Sequence, residues 1–215
     1  MNGLRWRIAQ FFEIRWWNAY LKKKDPASYM TWKQAYWRDF LRKSNIHPQK
    51  GQSILDAGCG PAGIFTILDD LHPDALDPLL EQYGQLPHFS INDWPGTRFF
   101  VGDLESYSTD KKYDLIFCLN AINHVKDLPL CLDRLTALLQ PGGTLAVSID
   151  AHNYQWIKKV LRLIPGDILH PHQYDLEEYK KMLSSRGFTI EESILVKKEY
   201  IFNYWLLTAL HGEHK

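Results

Sequence analysis

Ile54-Leu55-Asp56-Ala57-Gly58-Cys59-Gly60-Pro61-Ala62-Gly63 runs a short apolar segment straight into three glycines spaced Gly58-x-Gly60-x-x-Gly63. The segment Ser53–Ala57 predicts a strand, and Ala62–Leu71 behind the glycines reads as a helix. Glycine at such a junction lets the chain turn tightly and lets a ligand approach the backbone closely. Outward from this unit the same alternation recurs. Apolar runs stand at Ala75–Leu76, Thr97–Val101, Leu115–Leu119 and Thr144–Ile149, with helical stretches at Pro78–Tyr83 and Leu128–Leu139 between them. Pro141-Gly142-Gly143 stops the last helix and turns the chain into the strand that follows. Strands alternating with helices predict a parallel sheet covered on both faces.

The tail changes rhythm. Asp175 caps a helix over Leu176–Arg186, which Gly187 ends. Two strand-like runs follow, Phe188–Val196 and Tyr200–Ala209, joined at Lys197-Lys198, and so short a link makes them antiparallel neighbours. The expected fold is therefore α/β: a doubly wound, Rossmann-like, mostly parallel seven-stranded sheet with a terminal antiparallel hairpin. Ahead of it, residues 1–47 read as an N-terminal helical cap, and residues 48–215 carry the sheet. The cap holds two helices, Leu4–Lys23 and Pro26–Lys43, the second started by Asp25 as N-cap and Pro26 at its first position. That second helix spaces Tyr29, Trp32, Tyr36, Trp37 and Phe40 as an aromatic stripe on one face.

Composition narrows the function. With 25 Lys+Arg against 25 Asp+Glu the chain gives no reason to expect a nucleic-acid partner. Cys59, Cys118 and Cys131 stand far apart without metal-ligand spacing, which predicts free thiols, a reducing compartment, a cytoplasmic location and no metal. No apolar run approaches the roughly 20 residues that a membrane span needs.

Two carboxylates sharpen the glycine loop. Asp77 follows 19 residues after Gly58, where an acid commonly accepts hydrogen bonds from ribose hydroxyls. A nucleoside-containing cofactor is the first hypothesis, and a merely structural turn is the alternative. Asp56 then separates two cofactor classes. A dinucleotide puts its pyrophosphate at this turn, where a neighbouring carboxylate repels it. S-adenosylmethionine carries a sulfonium and an α-ammonium, which a carboxylate attracts.

Leu55-Asp56-Ala57-Gly58-Cys59-Gly60-Pro61-Ala62-Gly63 resembles the first motif of the class I S-adenosylmethionine-dependent methyltransferases, in particular the small-molecule branch. Ala75-Leu76-Asp77-Pro78 resembles the second-strand motif with its ribose-binding acid. Val101-Gly102-Asp103-Leu104-Glu105 resembles the segment that frames the adenine, and Tyr113–Val125 the fourth strand and the turn after it. Leu138–Gly143 matches the turn before the fifth strand. The resemblance covers Gln49–Ile149 and implies cofactor contacts at Asp56, Gly58, Cys59, Gly60, Gly63, Asp77, Pro78, Asp103, Leu104 and Asn120. It implies S-adenosylmethionine as cofactor and a small-molecule methyl acceptor as partner. A non-catalytic scaffold that keeps the cofactor pocket, or an NAD-dependent oxidoreductase, are the competing readings.

Methyl transfer from a sulfonium asks the protein mainly to position two reactants, and a general base helps only a protonated acceptor. His124 is the candidate base, since histidine titrates near neutral pH. Tyr29, Tyr36, His152, His170, His172 and Tyr174 are candidate substrate-binding residues, and Asn153, Tyr154 and Trp156 stand on the same loops. The N-terminal helix has two readings. Arg5, Arg7 and Arg15 among Trp6, Phe11, Phe12, Trp16 and Trp17 suit a membrane surface. A helix apolar on several sides is more often buried, which favours a cap over the open end of the sheet.

Overall fold

The computed structural model describes residues 3–153, 174–200 and 202–212. Its elements in chain order are α1 (Gly3–Leu21), α2 (Pro26–Lys43), β1 (Ile54–Ala57), β2 (Asp74–Asp77), α3 (Leu80–Tyr83), β3 (Arg98–Val101), β4 (Tyr113–Cys118), α4 (Leu128–Leu138), β5 (Leu139–His152), α5 (Leu176–Ser184), β6 (Phe188–Lys198) and β7 (Phe202–His211). The seven strands form one sheet in the order β3-β2-β1-β4-β5-β7-β6. β1 pairs in parallel with β2 and β4 and is buried along its whole length, as its near-continuous apolar run Ile-Leu-Asp-Ala suits. β7 runs antiparallel to β5 from Thr144↔Leu210 to His152↔Phe202, and β6 completes the terminal hairpin. The expected architecture is the one observed.

Each face of the sheet has its own core. On one, α4 and α5 set Leu132, Leu135 and Leu183 against Leu55, Ile116 and Val147. On the other, α2 sets Trp37 and Phe40 against Ile54, Phe117, Ala146 and Leu206. The Asp25 carboxylate accepts the Ser28 N–H at 2.8 Å and Pro26 opens the helix, so α2 starts where its local chemistry places it. At the amino end of β2, buried Asp74 receives Arg98, Lys111 and the Tyr113 hydroxyl at 2.7–3.0 Å.

Four local expectations are corrected. Ala62–Leu71 is not an α-helix but part of a chain of three short 3-10 turns, Gly60–Ala62, Ile64–Ile67 and Asp69–Leu71. Gly63 takes extended backbone between the first two, with ψ at −174°. The buried Asp56 side chain accepts the Phe65 N–H, which holds the chain in that broken path. Pro141-Gly142-Gly143 does not precede β5 but lies within its span, where pairing with β4 shifts between Tyr113↔Leu139 and Leu115↔Thr144. Lys197 and Lys198 pair with Tyr204 and Asn203 rather than forming the hairpin link. Finally, Trp32 leaves the aromatic stripe: it is 53% exposed, while Tyr29, Trp37 and Phe40 are buried.

Candidate functional site

The strand order reverses between β1 and β4, and ligands in such sheets bind at the carboxyl ends of the strands beside that point. The glycine turn stands there. Gly58 takes φ +77°, and a Cβ on it would lie 2.2 Å from the Ala121 Cβ, so glycine lets the segment after β4 close against the turn. A Cβ on Gly63 would meet the Asp56 Oδ2 and the Cys59 carbonyl oxygen at 2.4 Å each. The third glycine therefore leaves room for the carboxylate of the first strand. The Gly58 and Cys59 N–H groups donate to the Leu76 carbonyl at 2.7 and 3.1 Å, tying the turn to β2.

Asp77 completes that tie. Its two oxygens accept the Gly60 N–H at 2.9 Å and the Leu79 N–H at 2.8 Å. A carboxylate offers about four acceptor positions, so two remain for a ligand's hydroxyls. Burial pushes the Asp77 carboxyl up to about 7, and the neighbouring charges of Glu13 and Asp56 add to that. Burial likewise pushes Asp56 up to about 7, although the Phe65 and Ile64 amides and Lys33 favour its charged form. Asp74 shows the contrast: three donor side chains outweigh the effect of its burial and hold it below the usual carboxylate range. The glycine turn thus carries two buried acids whose charged forms a cation would stabilise.

Both N-terminal helices reach this turn. Trp17 of α1 lies 4.0 Å from where a Gly60 Cβ would stand, and Glu13 accepts the Tyr83 hydroxyl at 3.1 Å. Leu21 and Tyr29 pack with Cys59, Ala62 and Phe65 under the turn. From α2, the Trp37 indole N–H donates to the Ala62 carbonyl at 2.9 Å and Gln34 to the Thr66 carbonyl at 3.1 Å. Lys33 lies over the rings of Tyr36 and Trp37, at 5.0 and 4.5 Å. Burial pushes its ammonium down to about 8, and Asp56 offsets part of that.

The ends of β3, β4 and β5 bring together a second group. Pro78 is half-buried after Asp77, and the Gly102 N–H donates to the Asp77 carbonyl at 3.3 Å, which sets Asp103 beside the second strand. The Asp103 carboxylate is itself engaged by Ser106 and by Lys126 at 2.8 Å, and Leu104 is buried in the sheet core. Asn120 takes φ +55° and donates its N–H to the Ser148 hydroxyl at 2.7 Å. Nearby, Tyr179 donates to Asn123, which donates to Asp150 at 3.0 Å. His124 is exposed at the end of a short 3-10 turn, Ile122–His124. His152 is buried at the end of β5, its ring 4.4 Å from that of Phe202, and its backbone N–H donates to the Tyr174 carbonyl. Tyr174 packs its ring 5.7 Å from Tyr179. Tyr29 and Tyr36 part company, the first under the glycine turn and the second beside Trp37 and Phe40. His170, His172, Tyr154 and Trp156 lie outside the described residues.

Two side chains at this end escaped the sequence reading. Lys33 stands four residues after Tyr29 and four before Trp37, so helical spacing puts it on the inward face among the aromatic residues. Tyr204 of β7 stands opposite Asp150 and has a buried hydroxyl that Ser148 and Asn120 approach without completing a hydrogen bond. No short-range signal announces Tyr204, because the antiparallel register alone brings it there.

Residues 29–193 match a family model described as a methyltransferase domain. The chain is 29% identical over 140 residues to a malonyl-acyl-carrier-protein O-methyltransferase of Ilyobacter polytropus, covering 62% of this chain and 54% of that protein. It is 26% identical over 233 residues to a ubiquinone biosynthesis O-methyltransferase of Nitrobacter winogradskyi, covering 95% and 85%. The chain spans little more than half the length of the first of these relatives. Among solved structures it is similar in fold to a Burkholderia thailandensis 1,6-didemethyltoxoflavin N-methyltransferase crystallised with S-adenosylhomocysteine. That match has a TM-score of 0.61 at 17% identity and covers 96% of this chain and 88% of the other.

Proposed function

The chain belongs to the class I S-adenosylmethionine-dependent methyltransferase family, and on that premise we propose that it transfers a methyl group from S-adenosylmethionine to a small apolar or aromatic acceptor by in-line displacement. One observation carries the choice of cofactor: two buried acids, Asp56 and Asp77, flank the glycine turn, and burial favours their neutral forms unless a cation lies near. Such a turn favours a sulfonium and an ammonium and repels a pyrophosphate. Bound there, S-adenosylmethionine supplies a methyl group on an already good leaving group.

The chain's own residues then hold and orient. Asp77 takes the ribose hydroxyls on the acceptor positions left by Gly60 and Leu79. Asp103, Leu104 and Pro78 border the adenine, and Asp56 with Gly58, Cys59, Gly60 and Gly63 faces the amino-acid end. Lys33 stands where it can meet that end's carboxylate. Asn120, Tyr36, Tyr204, His152 and Tyr174 border the acceptor, and the inward faces of α1 and α2 close over both ligands and exclude water. His124 accepts the proton where the acceptor is a hydroxyl. Three free, buried thiols suit the cytoplasm as location, and no described helix is long and apolar enough to cross a membrane.

Calorimetry with S-adenosylmethionine, S-adenosylhomocysteine and NAD tests the cofactor, and transfer of a labelled methyl group across an acceptor panel tests the reaction. Binding of NAD alone refutes the proposal. Binding of S-adenosylhomocysteine with no methyl consumed supports the scaffold reading instead.

A further inference from the structure

The inward face of α1 is accounted for by Glu13, Ile14, Trp17 and Leu21, which meet Tyr83, the glycine turn and the core beneath it. Its outward face is not polar. Phe11, Phe12 and Trp16 are 56%, 51% and 55% exposed, although apolar residues on several sides of a helix ordinarily signal burial. The patch continues along a chain of rings, Trp16 stacked on Tyr20 at 4.8 Å, Tyr20 against Tyr29 at 6.1 Å and Tyr29 against exposed Trp32 at 5.8 Å.

Charge tells what this face is suited to meet. The chain as a whole is neutral, yet residues 3–24 hold Arg5, Arg7, Arg15, Lys22, Lys23 and Lys24 against one acid, Glu13. Glu13 is engaged with the Tyr83 hydroxyl. Arg15 lies 5.5 Å from the centre of the Phe11 ring, and Lys22, Lys23 and Lys24 are exposed at the end of the helix. A second patch of the same composition stands at the tip of the β6–β7 hairpin, where Leu195, Val196 and Tyr200 are exposed beside Lys197 and Lys198. The pairing of Phe202 with His152 puts that tip at the carboxyl end of β5, the end of the sheet where the glycine turn also stands.

We infer that the outward face of α1 docks on an anionic lipid surface, with Phe11, Phe12 and Trp16 at the headgroup boundary and Arg15, Lys22 and Lys23 against the lipid charge. Aromatic and basic side chains interleaved on one helix face are what such a surface binds. A second copy of the chain suits the face poorly, because the same cations would oppose one another across a symmetric interface. The inference is independent of the reaction proposed above.

Co-sedimentation with vesicles tests it on the full chain. Binding is expected to phosphatidylcholine vesicles containing about 30% phosphatidylglycerol and not to phosphatidylcholine alone, and to fall with added salt. The triple variant Arg15→Glu, Lys22→Glu, Lys23→Glu should weaken binding by at least about a hundredfold, since each basic residue near the surface contributes roughly fivefold. The triple variant Phe11→Ser, Phe12→Ser, Trp16→Ser should also release the protein, with cooperative unfolding retained and S-adenosylhomocysteine affinity unchanged in both. Absence of binding to the anionic vesicles overturns the inference, as does full binding by either variant. Dimerisation at micromolar concentration that the serine variant abolishes overturns it too, because the face is then occupied by another copy.

Discussion

Acidification should weaken S-adenosylmethionine binding while it stabilises the free protein, both through Asp56 and Asp77. Their folded values of about 7 lie above the ordinary carboxylate value of 3.8. Between those limits the folded chain holds more protons than the unfolded one, so stability falls as pH rises. The contribution is fully present below about pH 4 and lost on passing about pH 7. For one such group alone, three pH units at about 1.4 kcal/mol each make roughly 4 kcal/mol. Binding has the opposite sign, since a cation-bearing ligand needs the carboxylates charged. From about pH 7.5 to 5.5 the affinity should fall roughly 25-fold if one proton must leave, and several hundredfold if both must.

Calorimetry at several pH values, in two buffers of different ionisation enthalpy, measures both the affinity and the protons released. Denaturant unfolding across the same range measures the stability of the free chain. Asp56→Asn should remove one released proton and flatten the slope. Above neutrality the affinity should fall again as Lys33, pushed down to about 8, loses its charge. An affinity independent of pH from 5.5 to 7.5 (about two units) refutes the reasoning, and so does an Asp56→Asn protein with the full slope.

Three substitutions probe the parts of the turn separately. Asp77→Asn keeps one acceptor oxygen for the two amides of Gly60 and Leu79. It should cost about 1–3 kcal/mol of stability, and calorimetry should show S-adenosylhomocysteine binding at least about tenfold weaker through the lost ribose contacts. Gly63→Ala forces a methyl group to within 2.4 Å of Asp56 and of the Cys59 carbonyl. Displacement of the turn should lower the melting temperature by roughly 2–12 °C, from about 1–3 kcal/mol of overpacking. Lys33→Met should weaken S-adenosylhomocysteine by about tenfold and leave methylthioadenosine, which lacks the amino-acid end, unchanged; equal losses for both ligands would show that Lys33 acts through packing alone.

What the sequence made legible follows the range of the interaction concerned. α2 begins and ends where expected because Asp25 and Pro26 act within one turn of the helix they start. The mostly parallel sheet follows from alternating apolar runs, and the antiparallel ending follows from a link too short for a crossover. The broken path of residues 60–71 was hidden, because it depends on a side chain from the preceding strand. Asp56 accepts the Phe65 amide there, and helix propensity carries no record of that bond.

The site divides in the same way. Its acids were legible as residues that suit a cofactor, but their second use was not. Asp77 holds Gly60 and Leu79, and Asp103 is engaged by Lys126, which stands 23 positions away. Trp32 shows why an aromatic stripe alone misassigns a face. α2 lies against the turn as well as against the sheet, so its inward side includes Lys33, while neighbouring Trp32 is exposed. A cation held among aromatic rings beside a buried acid costs stability unless it has a partner. Lys33 lies over the rings of Tyr36 and Trp37 and feels the charge of Asp56, so its partner is either that acid or the ligand's carboxylate, and the methylthioadenosine comparison separates the two.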